Sequence, residues 1–341
     1  MTAALEITGL QVSYGRSEIL HGIDLEVSAS EVVALLGPSG SGKTTLLFAV
    51  AGFVPITGGT IAVAGAPVAG PGRHEPPERR EVAVVFQSYA LWPHLDAAET
   101  VAFPLRAAGT GADEARAEAT RLLAAVGMEG MERRRPAELS GGQQQRVGLA
   151  RALARHAGLY LFDEPTAHLD AATRSAVQAE ISARRAETGA AALYATHDAA
   201  EALAIADRVA LLRSGRIVQI GTPAEVYERP ADRWAAEVTG PASILDVEVR
   251  SRIAVVGGCA SGLADPAPDD GRYVVAVRPD WAALGGPLPG TVAGTWFRGP
   301  HTDVTLDTPA GAVEIRVPGR PALNPGAPTG WSLRKVWPID G

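Results

Sequence analysis

Three short strings in this chain bring together residue types that handle phosphate. The run Gly37-Pro38-Ser39-Gly40-Ser41-Gly42-Lys43-Thr44-Thr45 satisfies GxxxxGK[ST]. Its glycines let the backbone fold so that several N–H groups point at one phosphate, and the start of the following helix adds its positive end. In such a loop Lys43 reaches the β and γ phosphates of a nucleotide and Thr44 ligates Mg²⁺. Four apolar residues, Leu159 to Phe162, run directly into Asp163-Glu164. Two carboxylates at the exposed end of a buried strand suit one of them, Asp163, to hold Mg²⁺ through water. The other, Glu164, is suited to take a proton from a water attacking the γ-phosphate. The third string, Leu139-Ser140-Gly141-Gly142-Gln143-Gln144-Gln145-Arg146, opens a helix with a small polar residue and two glycines. It is a second potential seat for an anion, or a simple helix cap. One chain thus carries two phosphate-facing loops about a hundred residues apart.

The elements that must position these strings are legible from the apolar pattern. Residues 1 to about 85 read as strands with turns, and the wholly apolar VVALLG at 32–37 reads as a strand covered on both faces. TTLLFAVAGF, with helical spacing, follows the glycine-rich loop, so the order is strand, phosphate loop, helix. From about 95 to 155 the composition turns to Ala, Arg and Glu with helical periodicity, a helical insertion. Strand signals return at LYLFD, at ALYATH and at DRVALLRSGRIVQIG, where Ser214-Gly215 makes a hairpin turn, and helices lie between them. This alternation predicts a mostly parallel α/β sheet. Beyond about Gly240 short alternating strands separated by Gly and Pro predict a small all-β barrel, with VTGPAS at 238–243 as the link.

Composition narrows the function classes. A length of 341 residues with 46% hydrophobic content suits one large domain and a smaller one. A window of eighteen continuously apolar residues is missing from the sequence, and MTAALEITGL lacks the basic region and apolar core of a signal peptide, so a soluble chain is expected. The formal net charge of −7, without a basic run, argues against binding nucleic acid or docking directly on an anionic membrane. Cys259 is the single cysteine and is expected to be a buried strand residue.

With these strings in hand, LSGGQQQR resembles the signature sequence of the ATP-binding cassette (ABC) family, in which the signature loop of one subunit closes on ATP held by the phosphate loop of its partner. The resemblance implies a head-to-tail dimer with ATP at the interface, made of Ser140, Gly141, Gly142 and Gln143 on one side and 37–45 on the other. It also implies roles for four more residues. Tyr14 stacks on adenine, Gln87 touches Mg²⁺ and the attacking water, Asp170 crosses the dimer interface, and His197 contacts the γ-phosphate and steadies the water. The residues after Gln87 match the surface that receives a permease coupling helix. Two departures stand out: Ala167-His168 where the family favours serine followed by Ala or Asn, and Ser30-Glu31 for Gly-Glu.

The likeness extends along the chain. GTPAEVYERPADRWAAEVTG is similar to the end of the cassette in bacterial importers, and VAVRPD with GTVAGTWFRG is similar to their C-terminal oligonucleotide-fold regulatory domain, often called TOBE. The implied fold is a P-loop NTPase of the α/β class, with a mostly parallel sheet and a helical subdomain at about 88–155, plus a small all-β OB-fold-like domain. The implied domains are 1–237 and 244–341. The implied function is an ATPase with ATP and Mg²⁺ as ligands, working as a pair, a homodimer being simplest. It would sit on the cytoplasmic face of the membrane through two permease subunits and be fed by an extracytoplasmic receptor. Sugars, polyamines, ferric iron, sulfate, thiamine and phosphonates are the candidate solutes, with a lean toward polyamine and iron. The competing classes are a soluble ABC ATPase without a transport role, and a subunit whose C-terminal domain mainly senses a solute.

Overall fold

The computed structural model describes residues 3–86, 91–155, 157–167, 169–256, 258–263 and 268–339. Two compact units divide between Ile220 and Gly221.

The first unit runs β1 (Ala3–Tyr14), β2 (Ser17–Ser28), β3 (Val32–Leu36), α1 (Lys43–Ala51), β4 (Gly58–Val63), β5 (Ala66–Gly70), β6 (Arg73–His74) and β7 (Val82–Val85). It continues through α2 (Ala97–Ala107), α3 (Ala112–Ala125), α4 (Gly141–Ala154), β8 (Leu159–Asp163), α5 (Ala171–Thr188), β9 (Ala191–Thr196), α6 (Ala199–Ile205), β10 (Arg208–Arg213) and β11 (Arg216–Gly221). One sheet has the order β2-β1-β4-β5-β6 and is antiparallel; the other has the order β11-β10-β3-β9-β8-β7. In the second sheet every pairing from β10 to β7 is parallel, as the alternation of strands and helices requires.

Strands β3, β8 and β9 are buried along their whole length, and their alternate residues feed two cores. Val33, Leu35, Leu161 and Leu193 face the antiparallel sheet and α1. Val32, Tyr160, Phe162, Ala192 and Tyr194 face α2–α4 and α5. A strand clad on both faces has no polar side to show, which is why these runs are continuously apolar. The β10–β11 turn forms as expected, with Ser214 and Gly215 both at positive φ, 47° and 73°. Ser30, at the family's usual glycine position, also has a positive φ of 63°, and its hydroxyl donates to the Gly189 carbonyl at 3.0 Å.

Among its described residues the second unit contains α7 (Pro223–Glu228), α8 (Arg233–Val238) and nine strands: β12 (Ser243–Arg250), β13 (Ile253–Val256), β14 (Cys259–Gly262), β15 (Gly271–Val277), β16 (Ala282–Phe297), β17 (His301–Thr308), β18 (Gly311–Pro318), β19 (Pro328–Leu333) and β20 (Trp337–Pro338). They form sheets of order β14-β13-β12-β15-β20 and β18-β17-β16-β19 around a core that includes the fully buried Trp331. Cys259 is half-buried in β14.

The units divide ahead of the expected link at 238–243, so α7 and α8 fall with the β unit. Arg278 supplies the reason. Its fully buried guanidinium donates to the carbonyls of Tyr227, Ala236, Gly240 and Pro241 and to the Thr239 hydroxyl, binding both helices to the end of β15.

Candidate functional site

Parallel register decides where the functional side chains meet. Leu36 of β3 lies beside Thr196 of β9, and Ala195 of β9 lies beside Asp163 of β8. The phosphate loop, Asp163-Glu164 and His197 therefore emerge at one edge, the carboxyl ends of three adjacent strands, where open α/β sheets bind ligands.

The loop's shape depends on its glycines. Gly40 and Gly42 have positive φ, 79° and 106°, and a Cβ on Gly37 would fall 2.2 Å from the Leu212 carbonyl oxygen. From behind, the β10–β11 turn braces the loop, with Gly215 N–H donating to the Ser41 carbonyl at 2.9 Å. Gly42 caps α1 without a side chain, so the first-turn N–H groups of the helix keep their full anion-binding capacity.

Lys43 is buried, and its ammonium donates to the carbonyls of Gly37 at 2.7 Å and Pro38 at 3.1 Å, with Glu164 Oε1 at 3.9 Å. Burial lowers its pKa, opposed by the Glu164 and Asp163 charges. Thr44 Oγ1 donates to Asp163 Oδ1 at 3.1 Å. The second oxygen, Oδ2, is buried with no hydrogen-bond partner, as is Ser41 Oγ. Burial raises the Asp163 pKa, against the Thr44 hydrogen bond. An orphaned carboxylate oxygen beside a threonine hydroxyl is a donor set of hard oxygens, and it fits Mg²⁺.

Glu164 sits just past the end of β8 in the left-handed region, φ 48°, a conformation that costs a non-glycine residue about 1–2 kcal/mol. Its N–H donates to the Ala195 carbonyl at 3.0 Å, and its Oε1 lies 3.1 Å from His197 Nδ1. The site residues 37–45, Asp163, Glu164 and His197 thus form one connected group.

The other expected residues lie elsewhere. Tyr14 ends β1 with half its surface exposed, as a ring free to stack requires. Ser140 and Gln143 form a reciprocal capping box at the start of α4, so the cap reading and the anion-seat reading describe the same turn. Among the described residues, no hydrogen bond or ion pair joins this turn to the phosphate loop of the same chain. Asp170 caps α5 through Thr173, accepting from its N–H at 3.0 Å and its hydroxyl at 2.7 Å. Gln87 and His168 lie outside the described residues.

Two residues of the site carried no role in the sequence reading. Gln145 is buried on α4, and its amide donates to the carbonyls of Glu164 at 3.1 Å and Pro165 at 3.0 Å, holding the strained turn. The signal for it was a polar residue on the helix stripe shared with Leu149 and Ala152. Glu201, on α6, is buried and accepts hydrogen bonds from the hydroxyls of Thr166, Tyr194 and Thr196.

A glycine-rich loop, a buried lysine and a strand-end acidic pair on a parallel sheet define a P-loop nucleotide hydrolase. The family profile described as ABC transporter matches residues 20–167. The sn-glycerol-3-phosphate import ATP-binding protein of Rhizobium johnstonii is 39% identical over 86% of this chain and 80% of its own. The chain belongs to the ABC transporter family, among its import ATP-binding subunits, and it is an ATPase. Other relatives include the spermidine/putrescine import ATP-binding protein of Pseudomonas aeruginosa, 40% identical over 87% of this chain and 85% of its own. Among solved structures, a dimeric ATP-binding cassette in a post-hydrolysis state, bound to ADP and phosphate, aligns with TM-score 0.59 and 28% identity. It covers 64% of this chain and 98% of that one. No helix among the described residues is long and apolar enough to cross a membrane.

Proposed function

We propose that this chain works as one of a pair, each ATP lying between the 37–45 loop of one subunit and the Ser140–Gln143 turn of the other. The observation that carries the reading is the connected edge of Lys43, Thr44, Asp163, Glu164 and His197, fixed by three parallel strands. That no hydrogen bond or ion pair among the described residues joins the signature turn to its own phosphate loop accords with a composite site, as does the dimeric state of the aligned cassette.

Thr44 and Asp163 would hold Mg²⁺, which when bound neutralises charge on the phosphate oxygens. Gln87 would complete that set. Lys43 would exchange its loop carbonyls for the β and γ phosphates, and Tyr14 would cover adenine. Glu164 accepts a proton from water as its oxygen bonds to the γ-phosphorus; the bond to the β-phosphate oxygen breaks, leaving ADP and phosphate. His197, its Nδ1 3.1 Å from Glu164 Oε1, would steady that water and the γ-phosphate. Asp170 would meet the opposite subunit.

Closure on ATP and reopening after hydrolysis would drive alternating access in two permease subunits, placing the chain on the cytoplasmic face of the membrane through them. A docking surface is available near the expected coupling segment. Trp92 and Phe103 are exposed with ring centroids 4.7 Å apart, and the Arg151 guanidinium lies over Trp92 at 5.3 Å. The relatives' solutes, glycerol phosphate, ferric iron, sulfate and polyamines, bound the candidates for this chain. The β unit is read as the TOBE-type regulatory domain.

The test is ATP turnover and binding by Lys43→Ala and Glu164→Gln. Lys43→Ala should lose ATP affinity at least about tenfold, and Glu164→Gln should bind ATP, stall as a dimer and turn over at least about a hundredfold more slowly. Unchanged binding by the first would remove the phosphate-loop assignment, and vigorous turnover by the second would remove the base. Affinity capture of the tagged chain from solubilised membranes should recover two multi-spanning permeases; recovery of soluble partners alone would sink the transport role in favour of a free ATPase.

A further inference from the structure

The catalytic pair Glu164 and His197 is held from beneath by a carboxyl group that touches neither. Glu201 Oε1 accepts from the Tyr194 hydroxyl at 2.6 Å and from the Thr166 hydroxyl. Oε2 accepts from Thr196 Oγ1 at 2.6 Å, and the Thr196 hydroxyl oxygen in turn accepts the Asp198 N–H at 3.0 Å. Asp198 in turn caps the helix, accepting the Glu201 N–H at 3.2 Å. Thr196 and Asp198 are the two neighbours of His197, and Thr166 lies two residues beyond Glu164.

His197 has 57% of its side chain exposed. Little side-chain packing locates it, so its ring goes where the backbone at 196–198 puts it. That backbone is fixed by Glu201 on one side of the histidine and by the Thr196 hydroxyl on the other. The turn after Glu164 is fixed by the same carboxyl through Thr166. Burial and the adjacent Glu201 hold the Tyr194 phenol well above its usual range, so it remains a donor. Three hydroxyls from β9 and the turn after β8 converging on one buried carboxyl form a satisfied network, which locks the geometry of what it supports.

We propose that Glu201 is a positioning residue for hydrolysis: it sets the distance between His197 and Glu164 by clamping the two loops that carry them. This rests on the catalytic reading above, and it adds a requirement for turnover that nucleotide binding does not share, since none of its hydrogen bonds goes to residues 37–45.

The experiment measures ATP affinity and steady-state turnover of the full chain as Glu201→Gln, His197→Ala and the double variant. Glu201→Gln keeps the shape of the carboxyl but puts a donor amide among three hydroxyls. It should lower kcat about tenfold or more while ATP affinity stays within about twofold. In the His197→Ala background the same change should lower kcat by a clearly smaller factor, because only the arm to the Glu164 turn is left for it to disturb. Glu201→Asp should fall between the two. Turnover by Glu201→Gln within about twofold of the parent overturns the inference while leaving the catalytic pair intact. An equal loss in both backgrounds, or a loss that follows ATP affinity, also overturns it, because the carboxyl would then act on the fold at large. If His197→Ala itself turns over normally, the catalytic reading falls and this inference with it. Should Glu201→Gln not accumulate folded, Thr196→Val cuts only the arm to His197 and carries the same comparison.

Discussion

Lys43 in the first unit and Arg278 in the second are buried basic side chains, and burial is the leading cause lowering the pKa of each. Their surroundings differ in kind. Arg278 makes six hydrogen bonds to four carbonyls and a hydroxyl, and its guanidinium lies 4.0 Å from the Tyr227 ring centroid. Lys43 has two carbonyls of its own loop and a glutamate at 3.9 Å, and beside it lie an unpaired Asp163 oxygen, an unpaired Ser41 hydroxyl and a strained Glu164. A saturated buried cation builds structure; one among unsatisfied and strained groups is kept for a ligand. The second unit spends its polar bonds on stability, the first withholds them at one strand edge.

Four substitutions put this contrast to the test. The largest expected effect is on the saturated side. Arg278→Met leaves the buried Ala236 carbonyl and the part-buried carbonyls of Tyr227, Gly240 and Pro241 short of a donor and should destabilise the second unit by at least about 3 kcal/mol, read by calorimetry. Lys43→Ala, its counterpart, should change stability by less than about 1 kcal/mol while ATP affinity is lost. Equal destabilisation by the two would dissolve the comparison.

Asp163→Asn comes next. Because its folded pKa is raised, the carboxyl contributes stability at acid pH that is lost as pH rises from the usual aspartate range through the raised value. The asparagine variant escapes that loss. Its advantage over the parent should be smallest in acid, grow through that window and level off once the parent carboxyl is ionised, with hydrolysis abolished. Parallel stability curves against pH for the two proteins would refute the burial argument. The smallest effect is expected of Glu164→Gly, which relieves the left-handed backbone and should stabilise by about 0.5–1 kcal/mol in chemical denaturation while ending turnover.

Much of this was legible in the chain because the informative groups are contiguous. Residues 37–45 and 159–164 state both their element and their chemistry in one string each, and the apolar runs of β3, β8 and β9 announce a sheet covered on both faces. His197 was legible only through its likeness to a family, since a lone histidine at a strand end has no spacing partner. Glu201 was not legible. Asp198 and Glu201 stand at capping-box spacing, which would turn the glutamate back toward the helix start; instead Asp198 N–H goes to Thr196, and Glu201 turns inward to the hydroxyls of Thr196 and Tyr194 on β9 and of Thr166, 35 residues back in the chain. The division of the units was displaced for a like reason. Nothing in 223–238 says that an arginine at position 278 will collect its carbonyls.

The parts are written locally in the chain: the phosphate loop, the acidic strand end, the signature turn, a parallel α/β body and a separate β unit. Each is set by local rules, glycine freedom, apolar period and turn chemistry, that act over a few residues. Tertiary structure alone decided which parts meet. Parallel register brought β3, β8 and β9 to a common edge, and burial then selected Asp163, Gln145, Glu201 and Arg278 for their distinct tasks. A polar side chain takes its role from the partners it finds when water is removed, and those partners are chosen by the fold.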